Sequence, residues 1–372
     1  MKDSIVRAKR ILLVVAFVVA AAGIAAADER IQLAILLDTS NSMDGLIGQA
    51  KSTLWNVVNE LARSRRSGRI PVLEVALFEY GNDRLDESGG YIRMVSNLTT
   101  DLDRISEELF KLATDGGSEY CGMVIDNAVD RLSWSRSSDV LKVITIAGNE
   151  PFTQGPVPYA ASAAKAARKG IIVNTVFCGS REEGIATSWK DGADRADGRY
   201  LNIDKDEAVA QIDTPFDADI VRLGKELNTT YLGYGSAGQS RKERQAAQDS
   251  NAASMGQGAT VQRSVAKAQS VYSNEGWDLV DAVRDKSVSL RDLKEDQLPA
   301  EMQKMTPAQR DEYVRTMGAR RAEIQKKINA MNEKRRVYVA EEMKKRAGSN
   351  TLEQAILGSV TAQAEAKGFK VE

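Results

Sequence analysis

An apolar run that stops on an aspartate constrains this chain more than any other feature. Leu33 to Leu37 is short and continuously apolar, Asp38 ends it, and Ser40 and Ser42 follow at alternate positions. Such a run suits a strand buried on both faces of a parallel sheet. Leu46, Ala50, Leu54, Val57 and Leu61 then recur at helical spacing. Asp38, Ser40 and Ser42 are therefore predicted in a strand-to-helix loop, at the carboxyl edge where open α/β sheets bind ligands.

One carboxylate and two hydroxyls make a hard-oxygen donor set without imidazole or thiolate, which suits Mg²⁺, Ca²⁺ or Mn²⁺. Capping of the following helix is the plainer role for Asp38 or Ser40; the flanking strand and helix favour the cation. The Asp-x-Ser-x-Ser pattern resembles the metal-ion-dependent adhesion site of the von Willebrand factor A (vWA) domain family, matched at Asp38, Ser40 and Ser42. The resemblance implies an α/β fold with a doubly wound, mostly parallel sheet and helices on both faces. It also implies a protein partner bound through a divalent cation, whose shell an acidic residue of the partner commonly completes if a coordination position is open.

The downstream order agrees with that fold. Val72–Tyr80 and Tyr91–Leu98 read as an antiparallel pair at one edge, and Asp101 as the cap of a helix. Leu141–Ile146, Ile171–Phe177 and Arg199–Ile203 read as further strands alternating with helices, among them one over Glu182–Ala196. The vWA domain is expected over residues 28–212.

At two positions the chain departs from the family's pattern. Where the family has a metal-contacting threonine after a Gly-Gly pair, the chain reads Glu119-Tyr120-Cys121-Gly122. Where the family has a strand-terminal aspartate, the chain has Gly148, with Glu150 in the same loop. Direct ligation by Glu119 and Glu150 would give three carboxylates with Asp38. That favours Ca²⁺ or Mn²⁺ over Mg²⁺ and leaves less positive charge to attract an acidic partner. The alternatives are ligation through water, or a Glu119 that only caps its helix.

Composition excludes other chemistry. The 372 residues include no histidine, which removes Ser-His and Cys-His nucleophiles, histidine bases and His-ligated zinc. A net charge of -1 exerts no global pull on nucleic acid. A non-catalytic binding protein is expected. The alternatives are a scaffold whose cation only rigidifies loops, and a metal-assisted hydrolase with Glu119 or Glu150 as base. On the vWA fold, Cys121 and Cys178 both fall at the carboxyl edge, so a disulfide between them is one expectation and two buried free thiols the other.

The N-terminus reads as a targeting segment. Lys2, Arg7, Lys9 and Arg10 precede an apolar run over 11–22, and Ala25-Ala26-Ala27 offers a small-residue cleavage site before Asp28. The run is shorter than the roughly 20 residues of a membrane span. Residues 1–27 are expected to be a cleaved signal peptide, leaving an exported protein, periplasmic or secreted, without an integral span.

Residues 213–372 read as helical. Residues 236–258 are polar, a mobile loop or an exposed helix. Asn274 is placed to cap a helix bearing Trp277 as a packing anchor. A long basic helix is expected over about 307–347, with Met317, Ile324, Met331 and Tyr338 spaced by sevens. Arg320, Arg321, Lys326, Lys327, Lys334 and Arg335 would form its solvated face. This half is expected to pack on the sheet domain or to project as a spacer.

Overall fold

The computed structural model describes residues 29–206, 212–344 and 351–371. The expected signal peptide and the end of the long helix at 347 lie outside the described residues. The first half runs β1 (Arg30–Asp38), α1 (Asp44–Leu61), β2 (Ser64–Arg65), β3 (Val72–Tyr80), β4 (Ile92–Thr99), α2 (Leu102–Lys111), α3 (Cys121–Arg131) and β5 (Leu141–Gly148). It continues with α4 (Tyr159–Arg168), β6 (Ile172–Cys178), α5 (Arg181–Ala186), α6 (Trp189–Asp194) and β7 (Tyr200–Ile203). The second half is α7 (Asp217–Asn228), α8 (Gly238–Ser254), α9 (Gln257–Ala268), α10 (Leu279–Arg284), α11 (Pro307–Lys344), α12 (Leu352–Ala366) and β8 (Lys370–Val371).

The main sheet has the order β4-β3-β1-β5-β6-β7, parallel except for the β3–β4 pair at one edge. Register aligns the carboxyl ends: Asp38 pairs with Tyr80, and Leu37 with Ala147. Side chains alternate across β1, so Leu33 and Leu37 join one core and Ala34 and Leu36 the other. The second core is closed by Val124, Ile125 and Ala128 of α3, Ala163 and Ala166 of α4, and Trp189 of α6. The helix expected over 182–196 breaks in two, because Ser188 turns into left-handed backbone at φ 72°.

The first core does not stop at residue 212. Around α1 and α2 it continues into Ile220 and Leu223 of α7, Val261 and Val265 of α9, Ile324 and Ile328 of α11, and Ile356 and Val360 of α12. The helix α12 returns to the sheet and packs on α1 and across β5, β6 and β7. Asn174 of β6 and Gln363 exchange two side-chain hydrogen bonds, at 3.0 and 2.7 Å. The Leu352 N–H donates to Gln49 Oε1 at 2.8 Å, and β8 pairs antiparallel with β2. The helical half thus packs on the sheet rather than projecting, and most of it is inserted between the last main-sheet strand and the helix that covers that strand.

Buried ion pairs hold the insertion. Arg263 lies over the rings of Trp55 and Tyr272, at 4.3 and 5.0 Å, and pairs with Asp103 of α2 at 2.6 Å and Asp249 of α8 at 2.8 Å. Burial pushes the Asp249 carboxyl up, but Arg263 and Lys267 outweigh it and hold the group at about 2. Arg321 pairs with Asp278 at 2.5 Å and Asp281 at 2.8 Å, and Arg335 with Asp217 at 2.9 Å. Both arginines were expected on a solvated face. They are buried because the acids that accept them lie on other segments, which the periodicity of α11 alone does not display.

The polar stretch 236–258 contains an ordered helix, α8, whose Gln248 accepts from Ser106 Oγ of α2 at 2.9 Å. Asp278, not Asn274, caps α10, accepting from the Asp281 N–H. Trp277 is a packing anchor, stacked on Tyr231 with ring centroids 5.8 Å apart. Among the described residues no helix is long and apolar enough to cross a membrane.

Candidate cation site

Asp38 ends β1 fully buried. Its Oδ1 accepts from the Ser40 N–H at 2.8 Å, and its Oδ2 has no hydrogen-bond partner. Ser40 is buried too, and its Oγ makes no hydrogen bond of ordinary geometry, although it lies near enough to Asp38 and Glu119 to favour both carboxylates. Ser42 is exposed on the turn Asn41–Met43, where its Oγ accepts from Asn149 Nδ2 at 3.2 Å. That bond leaves Asn149 Oδ1 buried and unpartnered.

Glu119 is 4% exposed, and its N–H donates to Gln154 Oε1 at 2.6 Å. Its side chain turns inward against Gly81. A Cβ on Gly81 would fall 2.7 Å from Glu119 Cγ and 3.0 Å from Asp38 Oδ1, and φ there is +76°. Glycine is required at 81 on both counts. Tyr120 holds the N-cap position of α3 without a side-chain hydrogen bond, and Glu119 stands one residue before it, across Gly81 from Asp38. Glu150 stands half-buried in the loop after β5, where its carbonyl accepts from Trp189 Nε1 at 2.8 Å.

The electrostatics are those of a site short of positive charge. Burial pushes the Asp38 carboxyl up to about 7, with Glu150 adding to it, against the opposing pull of the Ser40 N–H and hydroxyl and the Asn149 N–H. Burial, then Asp38 and Glu150, push Glu119 up to about 7 as well, opposed by the Ser40 hydroxyl. Among the described residues no lysine or arginine pairs with either group. Buried carboxylates without a cationic partner are costly. Unpartnered oxygens on Asp38, Ser40 and Asn149 beside them form the donor set that a hard divalent cation takes. Among the described residues no three carboxylate or thiol side chains are gathered closely enough to hold an ion by themselves. The hydroxyls of Ser40 and Ser42 and the amide of Asn149 would therefore have to supply part of the shell.

Asn149 was not singled out in the sequence. The available signal was its place one residue beyond the end of a buried strand, at the same edge as Asp38. The structure also accounts for the glycine at 148. A Cβ there would lie 2.4 Å from Tyr80 Oη and 3.0 Å from Asp38 Oδ2, and Tyr80 Oη donates to the Ala147 carbonyl at 2.9 Å. The Tyr80 hydroxyl fills the space that a side chain at 148 would need. Restoring the family's residue by Gly148→Asp is expected to lower stability by about 1–3 kcal/mol through overpacking. Adding Tyr80→Phe should recover part of that loss in urea unfolding. A Gly148→Asp chain as stable as the wild type would remove this steric explanation.

Cys121 and Cys178 are free thiols, not a disulfide. Both were placed at one edge, but Cys121 belongs to the core on one face of the sheet and Cys178 to the core on the other. Cys121 Sγ instead lies 3.9 Å from Tyr80 Oη.

The sheet order, the antiparallel edge pair and the Asp-x-Ser-x-Ser loop after β1 make this a vWA fold. No family model matches the chain, and no curated protein matches it. Similar solved structures include the conserved hypothetical protein BatB from Bacteroides thetaiotaomicron. It has 18% identity, covers 47% of this chain and 90% of that one, and has a TM-score of 0.36. A von Willebrand factor type A structure from Catenulispora acidiphila has 16% identity over 47% of this chain and 39% of that one, with a TM-score of 0.36. Proximal thread matrix protein 1 from the mussel byssus, with a zinc-occupied metal-ion-dependent adhesion site, has 12% identity. It covers 47% of this chain and 42% of that one, with a TM-score of 0.34.

Proposed function

We propose that this chain is a non-catalytic binding protein that engages a protein partner at a divalent-cation site on the carboxyl edge of its sheet. Asp38, Ser40 and Glu119 would hold the ion, with Ser42, Asn149 and Glu150 completing or orienting its shell. The observation that carries the reading is the pair of buried oxygens, Asp38 Oδ2 and Ser40 Oγ, without hydrogen-bond partners among the described residues, beside a second buried carboxylate to which no basic side chain of those residues is paired. The cation there would neutralise two carboxylates and fix three loops in one geometry. Export to the periplasm or medium is part of the proposal, supported by the basic, apolar and small-residue order of residues 1–27.

The test is calorimetric titration of metal-stripped protein with Mg²⁺, Ca²⁺ and Mn²⁺. Binding is expected for the wild type, with affinity reduced at least about tenfold by Asp38→Ala, and by a smaller factor by Asn149→Ala and Glu150→Ala. Absence of heat and of thermal stabilisation with all three cations would overturn the proposal.

A further inference from the structure

We infer that this edge docks a lysine- or arginine-rich segment of a partner protein, not a partner carboxylate; the inference rests on the cation-site reading for where the ion sits. Asp38 and Glu119 together carry the two negative charges that match one divalent cation. Glu150, directly alongside, takes the site past neutrality. The loops of the same edge carry the exposed carboxylates of Asp44, Asp83 and Asp206, the last beside Gly45, and the half-buried Asp115. Asp44 Oδ1 accepts from Thr114 Oγ1 at 2.5 Å, and Asp83 folds over Gly116, with its Oδ2 only 2.6 Å from where a Cβ would stand.

Of the basic side chains beside them, Arg84 pairs with Asp115 at 2.6 Å and Lys205 with Asp206 at 2.9 Å, while Lys51, close enough to Asp44 to feel its charge, donates to the Leu112 carbonyl at 3.0 Å. Asp44, Asp83 and Glu150 have no ion-pair partner among the described residues. A bound cation whose charge is already matched, within a ring of surplus acids, offers little attraction to an incoming carboxylate. The same ring attracts an ammonium or guanidinium. The rim supplies the second element that such a group uses. Tyr91 and Tyr120 are half-buried and meet edge to face at 5.9 Å, next to Glu119, and a tyrosine face stabilises a lysine or arginine laid over it.

The experiment is fluorescence anisotropy on the full chain with two labelled probes, an alternating glycine–lysine peptide and an alternating glycine–glutamate peptide. Each is measured with saturating Mg²⁺ and with chelator. The lysine peptide is expected to bind, with affinity falling as salt rises. Asp44→Asn with Asp83→Asn should weaken it about three- to tenfold, while Glu301→Gln, far off in the helical half, should not. Mg²⁺-dependent preference for the glutamate peptide would overturn the inference. So would lysine-peptide binding that the double variant leaves untouched, or no binding of either probe. Calorimetry with Mg²⁺ on the same preparations separates the two readings. Cation heat without lysine-peptide binding overturns this inference alone. Variant-sensitive lysine-peptide binding without cation heat supports it and overturns the cation reading.

Discussion

With divalent cations chelated, the protein is expected to unfold at a higher temperature near pH 5 than near pH 8, by roughly 5–10 °C. Asp38 and Glu119 both titrate at about 7 in the folded chain, against about 4 for such carboxyls in an unfolded one. Between those values the folded state holds protons that the unfolded state has lost. Stability therefore falls as pH rises from about 4 to about 7, and stays low above that. Asp38 alone, fully buried, accounts for on the order of 3–4 kcal/mol of the fall. The Asp38 carboxylate raises Glu119, so the two should lose their protons in joint steps rather than independently.

Saturating Mg²⁺ or Ca²⁺ is expected to offset most of that fall. A ligand bound only by the folded state at a hundred times its Kd adds about 2.7 kcal/mol. It adds more near pH 8, where the carboxylates are already free of protons. Asp38→Asn removes the larger share of the pH effect and a ligand of the cation, so it should make the pH profile shallower, leaving the part due to Glu119, and abolish stabilisation by the cation. Scanning calorimetry at the two pH values, with and without cation, decides the matter. Equal melting at both in chelator, or an Asp38→Asn variant that keeps the wild-type profile, would be fatal to this account of the site.

The second large effect concerns the chain's last helix. A chain ending at Lys344 is expected to lose cooperative folding of the sheet half, although every main-sheet strand remains. Leu352, Ile356, Val360, Ala364 and Phe369 are all at most 3% exposed, packed into the same core as β1, α1 and β5. Burying each of the four larger side chains is worth about 1.5–3 kcal/mol, a sum comparable with the whole stability of about 5–15 kcal/mol typical of a domain. The truncation also strands Asn174 and the Gln49 side-chain oxygen without their partners on α12. Urea unfolding and near-ultraviolet circular dichroism should report a broad, weakly cooperative transition. Addition of a peptide spanning 351–371 should restore part of the signal. A truncated chain with a sharp, native-like transition would show that the sheet half is self-sufficient.

Much of the sheet half was legible in the amino-acid order because its signals are local. The apolar run into Asp38, the helical spacing from Leu46 to Leu61, and the capping Asp101 each report a conformation that a few neighbours decide. The side chain of Asp101 does accept from the Arg104 N–H. The oxygen-rich loop at Asp38, Ser40 and Ser42 could be read the same way, since strand, loop and helix lie in one continuous stretch.

What remained needed the assembled molecule. Asn149 enters the site only because β1 and β5 end in register. Gly148 is explained by a hydroxyl from Tyr80, on a strand two places away in the sheet. Cys121 and Cys178 share an edge but not a face. Arg321 and Arg335 looked solvated until the acids on other segments were seen to reach them, and the residue boundary at 212 marks a change of secondary structure inside a core that continues. Sequence periodicity determined which residues of an element share a face. What covers that face, and which charge compensates a buried charge, depend on segments far apart in the chain, so the tertiary structure alone decided them.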